Sequence, residues 1–438
     1  VIGTLLRSED ARTEVIGSGL DGSHFYYRPY RLVFEEVVER YYGDEPIDPL
    51  TVAESIGPRA AELWRISERE AVDRLTALAA PDPTDTVSVV EHGRIIKRHC
   101  DYRELMSVAS DALSRASEQQ QDPEDIAGRM GTAATRIITG SMPHNELLTY
   151  GELGRRWTRL KSEELAARAA GSELGAKFTI KAIDDFVKGL RPTELWMLGG
   201  DPGVGKSAIA WACARNFAYR QMRKPPERRI ATLVFSLEMG EELSSTRFAQ
   251  IESSADGEML RSGSFTQIGL RQIAEKWAAN RELPLIVNHS GSLRESQLKA
   301  LCVEGIRKHN VGLVIVDHFR FITTDQRFEN KNDADEQVVS FLKGTLAKDL
   351  NLAVICLAHT TKSDNRRPTM NDLRGSKMIS AFADLVSFPY WPWQHASKAD
   401  RERGLMAIEE HEMIWEKVRQ GAPGIGELWI DMATMTIR

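Results

Sequence analysis

The chain has 438 residues, 42% of them hydrophobic and 27% charged, and a formal net charge of −6. That length allows two domains of ordinary size with a connector, and the composition is that of a globular protein, not a disordered one. No apolar run approaches the length needed to cross a bilayer, and the acidic balance excludes a global pull on nucleic acid, so any such contact must be local.

The opening Val1-Ile2-Gly3-Thr4-Leu5-Leu6 reads as a helix interior and not as a signal peptide, and the missing initiator Met leads us to expect further residues upstream. From Val1 to about Gly140 the periodicity is helical. Pro29 to Tyr42 places Tyr30, Phe34, Val37, Val38 and Tyr41 on one face, and Arg94 to Ala116 does the same with Ile95, Leu105, Val108, Ala109 and Leu113. Asp122 is placed to cap a further helix with Pro123 at its first position. This predicts a small all-helical domain over 1–140. A linker over 141–177 follows, in which Tyr150 to Ala170 forms a charged, moderately amphipathic helix suited to packing on another surface, such as a neighbouring subunit.

After about Phe178 apolar strands alternate with amphipathic helices, which predicts an α/β domain over 178–438 with a mostly parallel sheet covered on both faces. Candidate strands are 195–199, 230–236, 284–288, 311–317, 352–358 and 384–390, with 411–418 and 425–431 as an antiparallel hairpin at the sheet edge. Cys100, Cys213, Cys302 and Cys356 stand singly and form no C-x-x-C pair, which argues against a zinc module and for a reducing cytoplasm.

Between the first of these strands and its helix lies Gly200-Asp201-Pro202-Gly203-Val204-Gly205-Lys206-Ser207, followed by Ala208. Spacing and context fit a phosphate-binding loop. Glycine lets backbone N–H groups fold inward around phosphate oxygens, and the helix N-terminus adds partial positive charge. Lys206 is then the residue that reaches the β and γ phosphates, and Ser207 a ligand for Mg2+. Ligands of an open parallel sheet collect at the C-terminal strand ends. The strand at 311–317 ends in Asp317, a second Mg2+ ligand or an ordinary strand-end carboxylate. The strand at 230–236 leads into Glu238, which is placed to polarise an attacking water or is a surface glutamate. The strand at 352–358 delivers His359, either a γ-phosphate contact or a core-edge histidine.

With these pieces in order, nearly the whole chain resembles the DnaB-type replicative helicases, hexameric RecA-like motors of bacteria and their phages. The resemblance rests on the phosphate loop, Phe235-Ser236-Leu237-Glu238-Met239, Val314-Ile315-Val316-Asp317, Asp372-Leu373-Arg374-Gly375-Ser376 and Lys417-Val418-Arg419-Gln420-Gly421. In the helical half it rests on the segments 25–31 and 46–55. The family pattern departs at His359, where Gln is common, at His318-Phe319-Arg320 in place of Tyr-Leu-Gln, and at Arg374-Gly375-Ser376-Lys377 in place of Arg-Glu-Ser-Gly.

The resemblance implies an ATP-driven, RecA-like motor that forms a homo-hexameric ring. Such a ring would move 5′ to 3′ on single-stranded DNA in a bacterial cytoplasm, with a primase and a helicase loader as partners. It implies that Glu238 is the catalytic glutamate and that Arg419 and Lys417 act in trans on the adjacent subunit's nucleotide. It implies a DNA-gripping loop that includes Arg374, Gly375, Ser376 and Lys377; a weaker channel-loop candidate carries Arg327 and Lys331. The divergence points to a phage or plasmid enzyme. The alternatives are a RecA-like recombinase filament and an ATP-dependent scaffold that loads or regulates another helicase.

Overall fold

The computed structural model describes residues 1–17, 20–43, 45–80, 89–119, 122–139, 148–169, 174–360, 366–373, 376–397, 399, 401 and 407–438. It divides into two compact units, one of Val1–Ile137 with Pro143–Ser172 and the other of Ile138–Met142 with Glu173–Arg438. No described helix is long and apolar enough to cross a membrane.

The first unit is helical: α1 (Ile2–Arg7), α2 (Glu9–Gly17), α3 (Arg28–Gly43), α4 (Pro49–Trp64), α5 (Glu68–Leu78), α6 (Val89–Glu118), α7 (Pro123–Thr139) and α8 (Tyr150–Ala169). Local chemistry sets where they start. Asp48 accepts from the Leu50 and Thr51 amides at 2.8 and 3.1 Å, satisfying donors that α4 cannot pair internally, and Pro49 follows with its φ already helical. The core is built from Leu5, Val33, Phe34, Val37, Val52, Ile56 and Leu75. On α3 the expected face holds, with Phe34 and Val37 buried and Tyr30 and Val38 packed partly against them. The face expected on α6 is not covered by the described residues. Ile95, Leu105 and Leu113 are exposed, Leu113 at 71%, because this long helix outruns the small core beneath its first turns. Helix α8 packs on α3, with Arg155 and Glu39 at 3.5 Å, yet Tyr150, Leu153, Trp157, Leu160 and Leu165 remain exposed.

In the second unit α9 (Lys181–Val187) precedes β1 (Leu195–Gly200), α10 (Lys206–Gln221), β2 (Ala231–Ser236), α11 (Glu241–Ser253), α12 (Gly257–Ser262), α13 (Gln267–Ala279), β3 (Leu285–Asn288) and β4 (Leu293–Arg294). Then come α14 (Glu295–His309), β5 (Val311–Asp317), β6 (Ile322–Thr323), α15 (Lys331–Phe341), β7 (Ala353–His359), α16 (Ser376–Phe382), β8 (Leu385–Tyr390), α17 (Pro392–His395), β9 (Glu410–Val418), β10 (Gly424–Asp431) and β11 (Thr436–Ile437). A nine-stranded sheet runs β11-β10-β9-β8-β1-β7-β5-β2-β3, while β4 and β6 pair separately. The ladders from β8 to β3 are parallel and those from β8 outward to β11 antiparallel. The expected hairpin is β9–β10, but β11 pairs onto β10 and takes the edge.

Alternate strand residues feed two cores, as a sheet covered on both faces requires. Leu195, Met197, Phe235, Val314, Val316 and Cys356 share one, and Trp196, Leu198, Val234, Ile315, Ile355 and Leu357 the other. The buried Trp196 indole donates to Ser387 Oγ at 2.8 Å, so its polar atom is satisfied without leaving the core.

At the N-terminal ends of β1 and β8, the buried Asp384 closes a polar hub. Its Oδ2 accepts from the Leu195 amide at 2.9 Å and from Lys343 Nζ at 2.5 Å, and its Oδ1 accepts from Arg419 Nη1 at 2.8 Å. Burial alone would raise the Asp384 pKa; these donors overcome it, and the pKa lies below the ordinary value. Removing the carboxylate strands the buried Lys343 ammonium. Asp384→Ala should therefore destabilise this unit by about 3 kcal/mol, read as a lower urea midpoint for its transition, and an unchanged midpoint would refute the hub.

Candidate active site

The parallel register brings the expected strand ends together, with Gly200 opposite His359 and Ser236 opposite Asp317. Gly203 and Gly205 have φ of +85° and +88°, a region open to glycine at little cost, and Gly205 caps α10. A cavity of about 320 Å³ is lined by Pro202, Gly203, Gly205, Lys206, Ser207 and Ala208 together with Glu238, Asp317, His318 and His359. The loop, the acid, the glutamate and the histidine singled out in the sequence thus share one site. Gly200, Asp201 and Val204 complete the loop. Lys206 Nζ donates to the Gly200 and Asp201 carbonyls, at 2.7 Å each, and Asp201 accepts from the Thr360 hydroxyl.

Electrostatics at the site follow from burial. The Lys206 pKa is pulled down to about 8 by desolvation, against the opposing charges of Asp317, Asp201 and Glu238. A bound polyphosphate would favour its charged form further. Asp317 is buried and its carboxyl pushed upward by desolvation, with Ser207 and Trp211 hydrogen bonds working the other way. Its Oδ1 has no hydrogen-bond partner among the described residues. An unpartnered buried carboxylate oxygen beside a serine hydroxyl is a donor set that fits a hard divalent cation such as Mg2+. His318 is also buried, its pKa pushed down to about 3 by desolvation and by the charges of His359 and Lys206. Desolvation lowers His359 as well.

Three further wall residues carry no signature in the sequence. Arg247 reaches the cavity from α11, nine positions beyond Glu238. Burial lowers its pKa, opposed by Asp317 and Glu238. Met432 and Met435 enter from the turn between β10 and β11 and form a soft apolar wall. Only the return of the chain end across the sheet places them there.

Other predicted residues lie elsewhere. Lys417 Nζ donates to the Ala383 carbonyl at 2.6 Å and Arg419 joins the Asp384 hub, both at the end of β1 away from the phosphate loop. From Leu195 to Gly200 that strand spans about 17 Å at about 3.3 Å per residue. Arg327 is exposed in the segment before α15, and Lys331 is the first residue of that helix. Ser376 and Lys377 open α16, which packs on α15; Arg374 and Gly375 lie outside the described residues, as do the side chains of Lys331, Ser376 and Lys377. Just before them, Leu373 bridges to Thr360, and Asp372 binds Arg366 through both oxygens.

Two family models account for most of the chain. The DnaB-like helicase C terminal domain matches residues 175–437 and the DnaB-like helicase N terminal domain residues 1–98. The chain belongs to the DnaB-like helicase family. It is thereby an ATP-dependent DNA helicase of the replicative DnaB-like type, with a nucleotide-binding motor domain.

Similar proteins include the replicative DNA helicase DnaB of Leifsonia xyli subsp. xyli, 25% identical over 390 residues, which are 88% of this chain and 81% of that protein. DnaB of Geobacillus stearothermophilus is 23% identical over 415 residues, 92% of this chain and 85% of its own. Among solved structures, a DnaB-like replicative helicase described with its interactions with primase superposes with a TM-score of 0.57 at 16% identity, covering 98% of this chain and 99% of that one. A second solved structure, an isolated ATPase domain, gives 0.54 at 18% identity, over 64% of this chain and 95% of its own.

In this DnaB-like motor Arg247 is the cation that shares the phosphate cavity with Lys206. Removing one such preorganised charge typically costs 10²–10³ in rate. Arg247→Ala should lower ATP turnover about 100-fold while leaving the thermal midpoint within a few degrees, and turnover near the parent rate would remove it from the site.

Proposed function

We propose that copies of this chain assemble into a homo-hexameric ring that encircles one DNA strand at a replication fork and moves along it 5′ to 3′, displacing the other. The carrying observation is the placement of Arg419. Its side chain is 58% exposed although one guanidinium nitrogen is held by Asp384, and about 17 Å of strand separates that hub from the phosphate loop. A positive charge so far from its own phosphates is out of their reach, so any bound phosphate it meets belongs to another copy, which supports a site completed across subunits.

In the proposed mechanism Lys206 and the loop amides hold the β and γ phosphates, and Glu238 orients and polarises the attacking water. Ser207 and Asp317 would hold Mg2+, which would supply positive charge to offset that of the phosphates. Arg419 and Lys417 of the adjacent copy stabilise the charge that develops on the transferred group, and His359 contacts the γ-phosphate. Arg374, Gly375, Ser376 and Lys377, aided by Arg327 and Lys331, grip the DNA backbone with cationic side chains and backbone donors. The Leu373–Thr360 bridge next to the phosphate loop supports a mechanical link between nucleotide and DNA loops. The exposed apolar residues of α6 and α8 support contacts with other copies, α8 as the linker element that docks on a neighbouring motor. The helical unit would form the collar that meets a primase or a loader.

Strand separation on forked DNA tests the direction: unwinding with a 5′ tail, none with a 3′ tail, and none by Glu238→Gln. Unwinding from the 3′ tail would reverse the assignment, and hydrolysis without unwinding on either would favour a recombinase or a loading scaffold. The trans arrangement has its own test. Lys206→Ala and Arg419→Ala chains, each inactive alone, should regain ATPase on mixing, since about a quarter of interfaces then pair an intact loop with an intact arginine. A mixture as inactive as its components would place Arg419 outside the reaction.

A further inference from the structure

His318 and His359 are separated by a whole β-α-β crossover in sequence, yet their rings stack with centroids 4.1 Å apart and planes 28° apart. His318 is the fixed member. It is 1% exposed, directly follows Asp317, and its Nδ1 accepts from the Arg320 amide at 3.2 Å. His359 is the presented member. It ends β7 opposite Gly200, lines the nucleotide cavity and leaves its Nδ1 without a hydrogen-bond partner among the described residues. A flat neighbour stacked on a strand-end imidazole restricts the ring plane, whose terminal torsion is otherwise broad. Here the flat body is another imidazole, buried and locked by its own hydrogen bond. The two histidines also stand at two of the positions where the chain departs from the family pattern, and the structure brings those departures into ring contact.

We propose that His318 is a positioning residue that fixes the plane of the His359 ring, so that one ring nitrogen of His359 is aimed at the terminal phosphate during hydrolysis. The inference rests on His359 being the phosphate contact. His318 also borders the cavity, but in this role it acts through the face it offers to His359. The role is one of orientation, in which a small loss of alignment costs rate more than binding.

Full-length His359→Ala, His318→Phe, His318→Leu and the double variant His318→Leu/His359→Ala test this through kcat, KM and nucleotide Kd with saturating single-stranded DNA. Phe keeps a flat face and Leu does not, and both fill the buried space. His359→Ala should lower kcat about tenfold with Kd changed less than about threefold, and His318→Leu should lose kcat to a similar extent. His318→Phe should retain at least about half the parent kcat, and the double variant should be no slower than His359→Ala alone. Equal damage from Phe and Leu, no damage from Leu, or losses that multiply in the double variant would each overturn the proposal. A silent His359→Ala would instead sink the phosphate contact on which it rests. Should the Leu variant not fold, His318→Met, equally apolar and not flat, takes its place.

Discussion

The register of the parallel ladder β1-β7-β5-β2 is the constraint on which the rest of the motor unit depends. With Gly200 opposite His359, Val316 opposite Cys356 and Ser236 opposite Asp317, the phosphate loop, the acid and the histidine leave the sheet along one edge. A slip of one residue would exchange the faces of every side chain on a strand. Continuous apolar strands carry little alternation to forbid that, so shape has to. Trp196 hydrogen-bonds Ser387 on one face, and a Cβ on Gly199 would lie 2.5 Å from the Phe388 ring, so neither residue tolerates its neighbour's place.

The two ends of that sheet treat buried charge in opposite ways. At the N-terminal end Asp384 is surrounded by donors from Leu195, Lys343 and Arg419, a network that stabilises because every member is satisfied. At the C-terminal end Asp317 Oδ1, His318 Nε2 and His359 Nδ1 are buried with no hydrogen-bond partner among the described residues, near a lysine whose pKa desolvation has lowered. Groups left unsatisfied in a low-dielectric cleft are those that a ligand satisfies. The polar contrast between the ends separates scaffold from site without reference to any relative.

Much of this was legible in the sequence where the signal is local. The phosphate loop needs glycine at positive φ, and Gly203 and Gly205 adopt it. The strands from 195 to 390 are continuous Val, Ile and Leu runs, and they became the parallel sheet within a residue or two. What stayed hidden depends on distant closure. Arg247 is one charged residue on an ordinary helix until α11 is laid beside α10, and Met432 and Met435 line the cavity only because β11 returns onto β10. Periodicity also misled at α6, where Leu105 and Leu113 repeat with helical spacing but stay exposed among the described residues. The pattern records an apolar face; it does not say which molecule covers it.

That distinction bears on how the motor would be assembled. A single copy of the chain holds Lys206, Ser207, Glu238, Arg247, Asp317 and His359 around one cavity, and it holds Arg419 at the far end of the strand that leads into that cavity. Asp384 anchors the arginine to the first residue of β1, while the phosphate loop hangs from the last. Under the proposed ring, β1 therefore joins two active sites, one built on its own loop and one reached by the arginine at its root. A rotation of the motor unit that closes one interface then moves the cation at the other, and the stiffness of a sheet packed on both faces is what would let neighbouring sites fire in turn.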